Sequence, residues 1–362
     1  MDYYEISRHA KQLLYLSKFI IKIMKKQTIT SFILLVSFLV SAQNQLKSDL
    51  LYADQTPLEI KLSYSNKEMN AKTDDSTYIK TNMEFLHEEK WNSIEVKLRA
   101  RGNFRRNTCY FPPVKMKIKK DQRAGTLFDG NKSLKLVLPC KIESENNDNI
   151  LQEFIAYKIY EKISPYHFKT RRVNVDFNEI RGKKTKNFQL KGFLIEDVKL
   201  VAKRHEGKEF SRFVHPLGMQ HMTSIQNALF QFLLGNTDFS TAYQHNGKLL
   251  YVNKEIIPLP YDFDMTGWVN PSYATVNTTL GISSVQDRIY RGFKRDQKYF
   301  DEVRQQFLDQ KSELMNLVSS FESEFSDSKE FKTMFDFMND FYNILEDDSK
   351  FNKKIVAAAR TK

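Results

Sequence analysis

The sequence predicts an α+β fold of two lobes that face each other across a cleft. Three observations carry that expectation: the first half alternates apolar and polar side chains in short runs, the second half shows apolar stripes at helical spacing, and no internal repeat or low-complexity tract interrupts the 362 residues. Apolar side chains make up 41% of the chain, enough to build a sizeable core.

From Met24 the chain reads MKKQTITSFILLVSFLVSAQ, a basic start, an apolar run and small residues before Gln43. That pattern predicts a secretory signal peptide cut before Gln43, with residues 1–23 either a start-site extension or a long n-region. The apolar run is shorter than the roughly 20 residues needed to span a bilayer, so no stable membrane span is expected after cleavage. Residues 1–42 carry six basic and two acidic side chains, so their removal lowers the formal charge from +12 to +8. This mixed, moderately basic balance does not call for a nucleic-acid partner, and none is expected. The expected location is outside the cytoplasm: periplasm, cell envelope or secreted.

The stretches IEVKLRAR (94–101) and VKMKIK (114–119) alternate apolar and basic residues, as strands do with one face in a core and the other toward solvent or a ligand. Gly102-Asn103 and Pro112-Pro113 supply turns between them, and LKLVL (134–138) is a third strand leading to Cys140. Asp148 is placed to cap a helix over 149–164, with Leu151, Phe154, Ile155 and Ile159 on one face. Strands follow at 171–177 and 187–196, joined by RGKKTKN. Ile225, Leu229, Phe232 and Leu233 mark a helix that stops near Gly235, and a hairpin over 248–252 and 256–259 leads into LPYDFDMTGW. Helices return from 297, with Leu314, Val318, Phe321 and Phe325 in one stripe. The predicted division is a leader at 1–42, a strand-rich lobe at 43–175, a lobe with catalytic-type loops at 176–296 and a helical completion at 297–362.

Export makes a Cys109–Cys140 disulfide chemically accessible, and two buried thiols are the alternative. Two cysteines alone do not make a tetrahedral zinc site. Asp262 and Asp264 are two positions apart at a strand end, so both carboxylates can face one point, where a hard divalent cation would relieve their repulsion. Upstream, Gly235-Asn236-Thr237-Asp238 closes a helix and Gln244-His245-Asn246 follows. An acid, then an amide, then a hairpin, then a second acidic motif is the order used for phosphoryl transfer, with Asp238 orienting a hydroxyl and Asp262 on the metal. Arg99 and Arg101 on one strand, and Lys115 and Lys117 on another, are the matching cations for phosphate oxygens. Glu153 on the first helix is placed to pair with one of the lysines, and His245 reads mainly as a hydrogen-bonded structural residue.

These residues resemble the CotH kinase family, in its exported bacterial branch. The resemblance is carried by Arg101-Gly102-Asn103 with its following proline and basic strand, by the helix 151–160, by Gly235-Asn236-Thr237-Asp238 with a downstream asparagine, and by Tyr261-Asp262-Phe263-Asp264. Together they span roughly residues 95–270. It implies an atypical protein-kinase-like fold of two lobes, ATP with magnesium or manganese, and phosphate transfer to a hydroxyl of a protein or other acceptor. Position by position it implies Asp238 as the catalytic acid/base, Asp262 with Asp264 as metal ligands, and Lys115 or Lys117 as the phosphate lysine, with Arg101 and Glu153 supporting. The amide stands eight residues after Asp238, further than in the usual kinase loop, which leaves Gln244, His245 or Asn246 on the metal side; Asn246 is the expected one. Two further readings stay open: a catalytically silent kinase-like envelope protein that binds a partner, and an envelope protein in which the DFD cluster holds calcium.

Overall fold

The computed structural model describes residues 46–102, 104–142 and 146–361. The chain divides into two units, residues 1–49 and residues 50–362. Of the first unit, the described part is a single 3-10 turn, Lys47–Asp49; the expected leader at 1–42 lies outside the described residues. All that follows concerns the second unit.

Seven strands form a closed barrel: β1 (Leu58–Tyr64), β2 (Ile79–His87), β3 (Lys90–Ala100), β4 (Val114–Ile118), β5 (Ser133–Val137), β6 (Thr170–Arg181) and β7 (Lys184–Ile195). Neighbours run β1-β2-β3-β4-β5-β7-β6, and β6 returns to β1. Every pairing is antiparallel except the closing one, where β1 and β6 run parallel in the register Leu58↔Val173 to Tyr64↔Glu179. The alternation seen in the sequence sorts the side chains: Ile94, Val96, Leu98 and Ala100 point into the barrel, while Glu95, Lys97 and Arg99 stay on its outer surface. Ile60, Met116, Leu136, Val175 and Leu194 fill the same interior.

The two-lobed protein-kinase-like architecture is therefore corrected. The class is α+β, but the strand-rich part is a closed mixed barrel. Closure depends on pairing β1 with β6 across more than a hundred residues, and periodicity along a chain carries no information about which strands meet. Residue 175 falls inside β6, and both β6 and β7 belong to the barrel.

A second core lies outside it. Its axis is α3, Asn146–Ile163, preceded in the chain by α1 (Asn66–Lys72) and α2 (Phe104–Thr108). Leu151, Phe154, Ile155 and Ile159 are buried as expected, yet so are Gln152 and Glu153, because α3 packs on β6 and β7 along one side and on later helices along the other. Asp148 does not cap α3. It lies within the first turn, and its carboxylate accepts hydrogen bonds from the Ser326 and Asp327 amides at 3.0 and 3.1 Å.

After α4 (Val198–Arg204) come β8 (Lys208–Phe210), α5 (His221–Leu233), β9 (Gly247–Val252) and β10 (Glu255–Pro260), with the three strands in a small antiparallel sheet ordered β10-β9-β8. Helices α6 (Gln297–Asp309), α7 (Lys311–Ser319) and α8 (Ser328–Leu345) complete the core. Cys109 and Cys140 are joined by a disulfide. Among the described residues no helix is long and apolar enough to cross a membrane.

Candidate functional site

The LPYDFDMTGW stretch leaves β10 as an acidic loop held by its aromatic residues. Phe263 is wholly buried, with ring centroids 4.6 Å from Tyr157 and 5.4 Å from Phe230. The Trp268 indole N–H donates to the Gln152 carbonyl at 2.8 Å. Asp262 takes a left-handed backbone conformation (φ 69°), and its amide donates to the Tyr157 hydroxyl at 3.0 Å. A non-glycine residue with positive φ persists only where its surroundings hold it there, and Phe263 and Tyr157 do so here.

The carboxylates then meet arginines. Asp262 lies 3.8 Å from Arg101, and Asp264 lies 3.4 Å from Arg105. Arg105 is itself buried, 3.8 Å from Glu153 and hydrogen-bonded to the Leu138 carbonyl at 3.0 Å. The result is a largely buried group of two arginines and three carboxylates that lie near one another without close hydrogen bonds. Among the described residues, both Glu153 oxygens, Asp264 Oδ2, and Nε and Nη2 of Arg101 have no hydrogen-bond partner. Burial, and next the Asp264 carboxylate, push the Glu153 pKa up, while Arg105 pulls it down. Burial raises Asp264 as well, again against Arg105.

The second loop is tied to the first through backbone. Gly235, at φ 59°, ends α5, and a Cβ there would meet the Phe337 ring at 3.0 Å. Gly267 is tighter still: a Cβ would sit 2.7 Å from the Val285 carbonyl oxygen. Between them the Trp268 amide donates to the Leu234 carbonyl at 3.0 Å, locking the two loops together. The Asn236 side-chain oxygen accepts from the Asp238 amide at 2.9 Å, and Arg291 binds the carbonyls of Thr237 and Phe239.

Ser240 and His245 exchange two backbone hydrogen bonds of 3.0 Å, which folds 238–246 back on itself. That closure accounts for the long spacing. His245 Nε2 lies 2.9 Å from Asp238 Oδ1, and the Asn246 amide donates to Asp238 Oδ2 at 3.0 Å and to the Asp238 carbonyl at 2.7 Å. Asp238 is half exposed, with one ligand on each carboxylate oxygen.

Both loops face the outside of the barrel across a cleft of about 1230 Å³. This exceeds the roughly 300–1,000 Å³ of ordinary small-molecule pockets and leaves room for two reactants. On the barrel side, register places Arg99 opposite Lys115 and Lys115 opposite Lys135, a row of three cations across β3, β4 and β5. Like charges directly opposite on a sheet are destabilising. Among its described residues the cleft lining holds nine arginines and lysines against six aspartates and glutamates. Burial, with the charges of Arg101 and Lys115 next, lowers the Lys135 amine to about 7.

Compared with protein-family models and with curated proteins, the sequence matches none of them.

The structure thus brings Arg101, Lys115, Lys117, Asp238, Asn246, Asp262 and Asp264 to one cleft, while Glu153 lies behind it. Glu153 pairs with Arg105 rather than with a lysine. The Asn246 amide nitrogen is spent on Asp238. Among the described residues no group of three or more His, Cys, Asp or Glu is placed to hold a metal ion. Sequence reasoning missed Arg105, which follows a turn and carries no periodic signal. It also missed Lys135, although LKLVL shows the same alternation that marked Lys115 and Lys117.

Proposed function

We propose that the chain is an exported phosphotransferase that binds ATP with magnesium or manganese and transfers the terminal phosphate to a hydroxyl of a protein or other acceptor. The reading no longer draws on a kinase-type fold. The single observation that carries it is the juxtaposition, across one cleft, of the Arg99–Lys115–Lys135 row with Asp238 and the Asp262/Asp264 loop. A cation row matched to a polyanion, facing an oriented carboxylate, is the minimum equipment for phosphoryl transfer, where positioning and charge stabilisation do most of the work.

Magnesium characteristically takes one or two protein carboxylates and completes its shell with water and substrate phosphates. Asp262 and Asp264 fit that mode, and the buried Asp264 oxygen without a hydrogen-bond partner favours it. A bound cation there would neutralise phosphate charge. Asp238 would orient the acceptor hydroxyl and receive its proton as the hydroxyl oxygen bonds to phosphorus and the bond to ADP breaks. His245 and Asn246 would keep Asp238 in place for that. The disulfide favours the exported location, since such bonds persist in oxidising compartments.

The test is thermal unfolding of the protein with ATP and magnesium or manganese, together and singly, beside Asp262→Ala. Stabilisation that needs both ligands and disappears in Asp262→Ala supports the reading. Stabilisation by calcium alone, or by nothing, refutes it.

A further inference from the structure

The resemblance places the phosphate contact on Lys115 or Lys117; the geometry points to a different lysine. Within the cation row, Arg99 is ion-paired with Asp75 at 2.8 Å and Lys115 with Asp197 at 3.7 Å. Lys117, two residues along β4 from Lys115, has its amine 4.3 Å from the Tyr78 ring centroid. Lys135 is the third member of the row and, among the described residues, has no carboxylate within ion-pair distance. Its amine sits 4.3 Å from the Tyr261 ring centroid and 4.8 Å from that of Phe168. Two rings cap it from the helical side of the cleft, and cation–π contact offsets only part of the cost of removing a charge from water.

Two features make this a place for an anion. Lys135 feels Arg101, Lys115 and Lys248 as like charges, with Asp197 the opposing one. Arg101, 9% exposed, is close enough to be one of them and has Nε and Nη2 without hydrogen-bond partners among the described residues. Tyr261 is the residue before Asp262, so an anion held at Lys135 lies beside the acidic loop, whereas the ring contact of Lys117 is to Tyr78.

We infer that Lys135, with Arg101 beside it, carries the phosphate-type anionic group of the cleft's ligand. This rests on reading the cleft as a phosphate-transfer site. Two sources share the chemistry, a nucleoside triphosphate and an inorganic polyphosphate.

The experiment is isothermal titration of the full chain with tripolyphosphate, ATP and ADP, each with and without magnesium, using wild type, Lys135→Met, Lys135→Arg and Lys117→Met. The expected result is a loss of tenfold or more in affinity for Lys135→Met, retention of most of it in Lys135→Arg, and a smaller loss in Lys117→Met. Unfolding curves of each unliganded variant separate lost binding from lost folding, and Lys135→Arg keeps the test open if the methionine variant does not fold. ATP binding more tightly than tripolyphosphate assigns the nucleotide; equal affinity assigns the inorganic chain; either supports the inference. Unchanged affinity in Lys135→Met, a larger loss in Lys117→Met, or no binding of any ligand by wild type overturns it. Phosphate transfer is measured in parallel. Lys135-dependent binding without transfer refutes the transfer reading and leaves the inference standing, whereas transfer with binding indifferent to Lys135 does the reverse.

Discussion

Replacing Lys135 by methionine should stabilise the unliganded protein at low pH, which is the opposite of what losing a structural ion pair would do. The amine falls from its ordinary 10.5 to about 7 in the folded state. At 1.36 kcal/mol per pH unit this converts to a ceiling of about 5 kcal/mol. By exposed area the side chain is only partly buried, although its amine is enclosed by two rings, so solvent screening takes about half and leaves about 2 kcal/mol. The direction follows from proton counting. Between about 7 and 10.5 the unfolded chain holds a proton on this lysine that the folded chain has released, so folding stability rises with pH through that window. Below about 7 the penalty is complete. Methionine keeps the aliphatic stem and titrates nowhere. Urea unfolding should therefore find Lys135→Met more stable than wild type by about 2 kcal/mol at pH 6, shrinking below about 1 kcal/mol at pH 10. Better packing of methionine would add an offset common to both pH values. A gain that does not change with pH, or a loss at pH 6, refutes the argument that a desolvated cation sits in this cleft.

Phe263→Ala should cost about 3–5 kcal/mol in chemical unfolding, because the ring is wholly buried between Tyr157 and Phe230 and its removal leaves a cavity under the acidic loop. Asp238→Asn should leave nucleotide affinity within a few-fold and lower the transfer rate by about a hundredfold or more, read in a radiolabel assay. Replacing both Cys109 and Cys140 by serine should lower stability by about 4 kcal/mol at this loop length of 31 residues, seen as a shift in urea midpoint. Gly267→Ala should destabilise and loosen the junction of the two loops, since its Cβ would lie 2.7 Å from a carbonyl oxygen and 2.9 Å from a backbone carbon; a melting temperature equal to wild type counts against it.

What the sequence makes legible is whatever depends on short-range period. Ile94 to Ala100 alternate into and out of the barrel as their pattern predicts, and Phe263 and Trp268 are buried as aromatic anchors of an acidic loop. What it hides depends on which strands meet. The row Arg99–Lys115–Lys135 joins residues 36 positions apart through the register of three strands, so each lysine looks alike along the chain. Closure of the barrel by β1 and β6 is hidden for the same reason, and it is what turns an expected lobe into a barrel. Asp148 shows a different failure: an N-terminal aspartate reads as a cap, but a loop 178 residues later offers it two amides, and the tertiary contact wins. The eight-residue spacing from Asp238 to Asn246 looks too long until the Ser240–His245 bridge shows that a loop, not a helix turn, brings them together.

The buried charges explain why the acidic motif needs its aromatic frame. Arg101 faces Asp262, and Arg105 faces both Asp264 and Glu153, yet these ion pairs are 3.4–3.8 Å long and several of their polar atoms lack hydrogen-bond partners among the described residues. Side chains free to move would close those distances, because a buried charge gains steeply from a shorter contact. The Tyr157 hydroxyl holds the Asp262 backbone and the Leu138 carbonyl holds the Arg105 guanidinium, which limits how far these members can close on one another. A network kept short of its own best pairing retains field directed into the cleft. A ligand that brings both anionic and cationic groups, such as a phosphate with its metal, can satisfy both ends of that network at once, whereas a lone cation or a lone anion leaves one sign uncompensated. The arrangement therefore predicts that nucleotide and metal bind with mutual reinforcement, each raising the affinity of the other by the same factor.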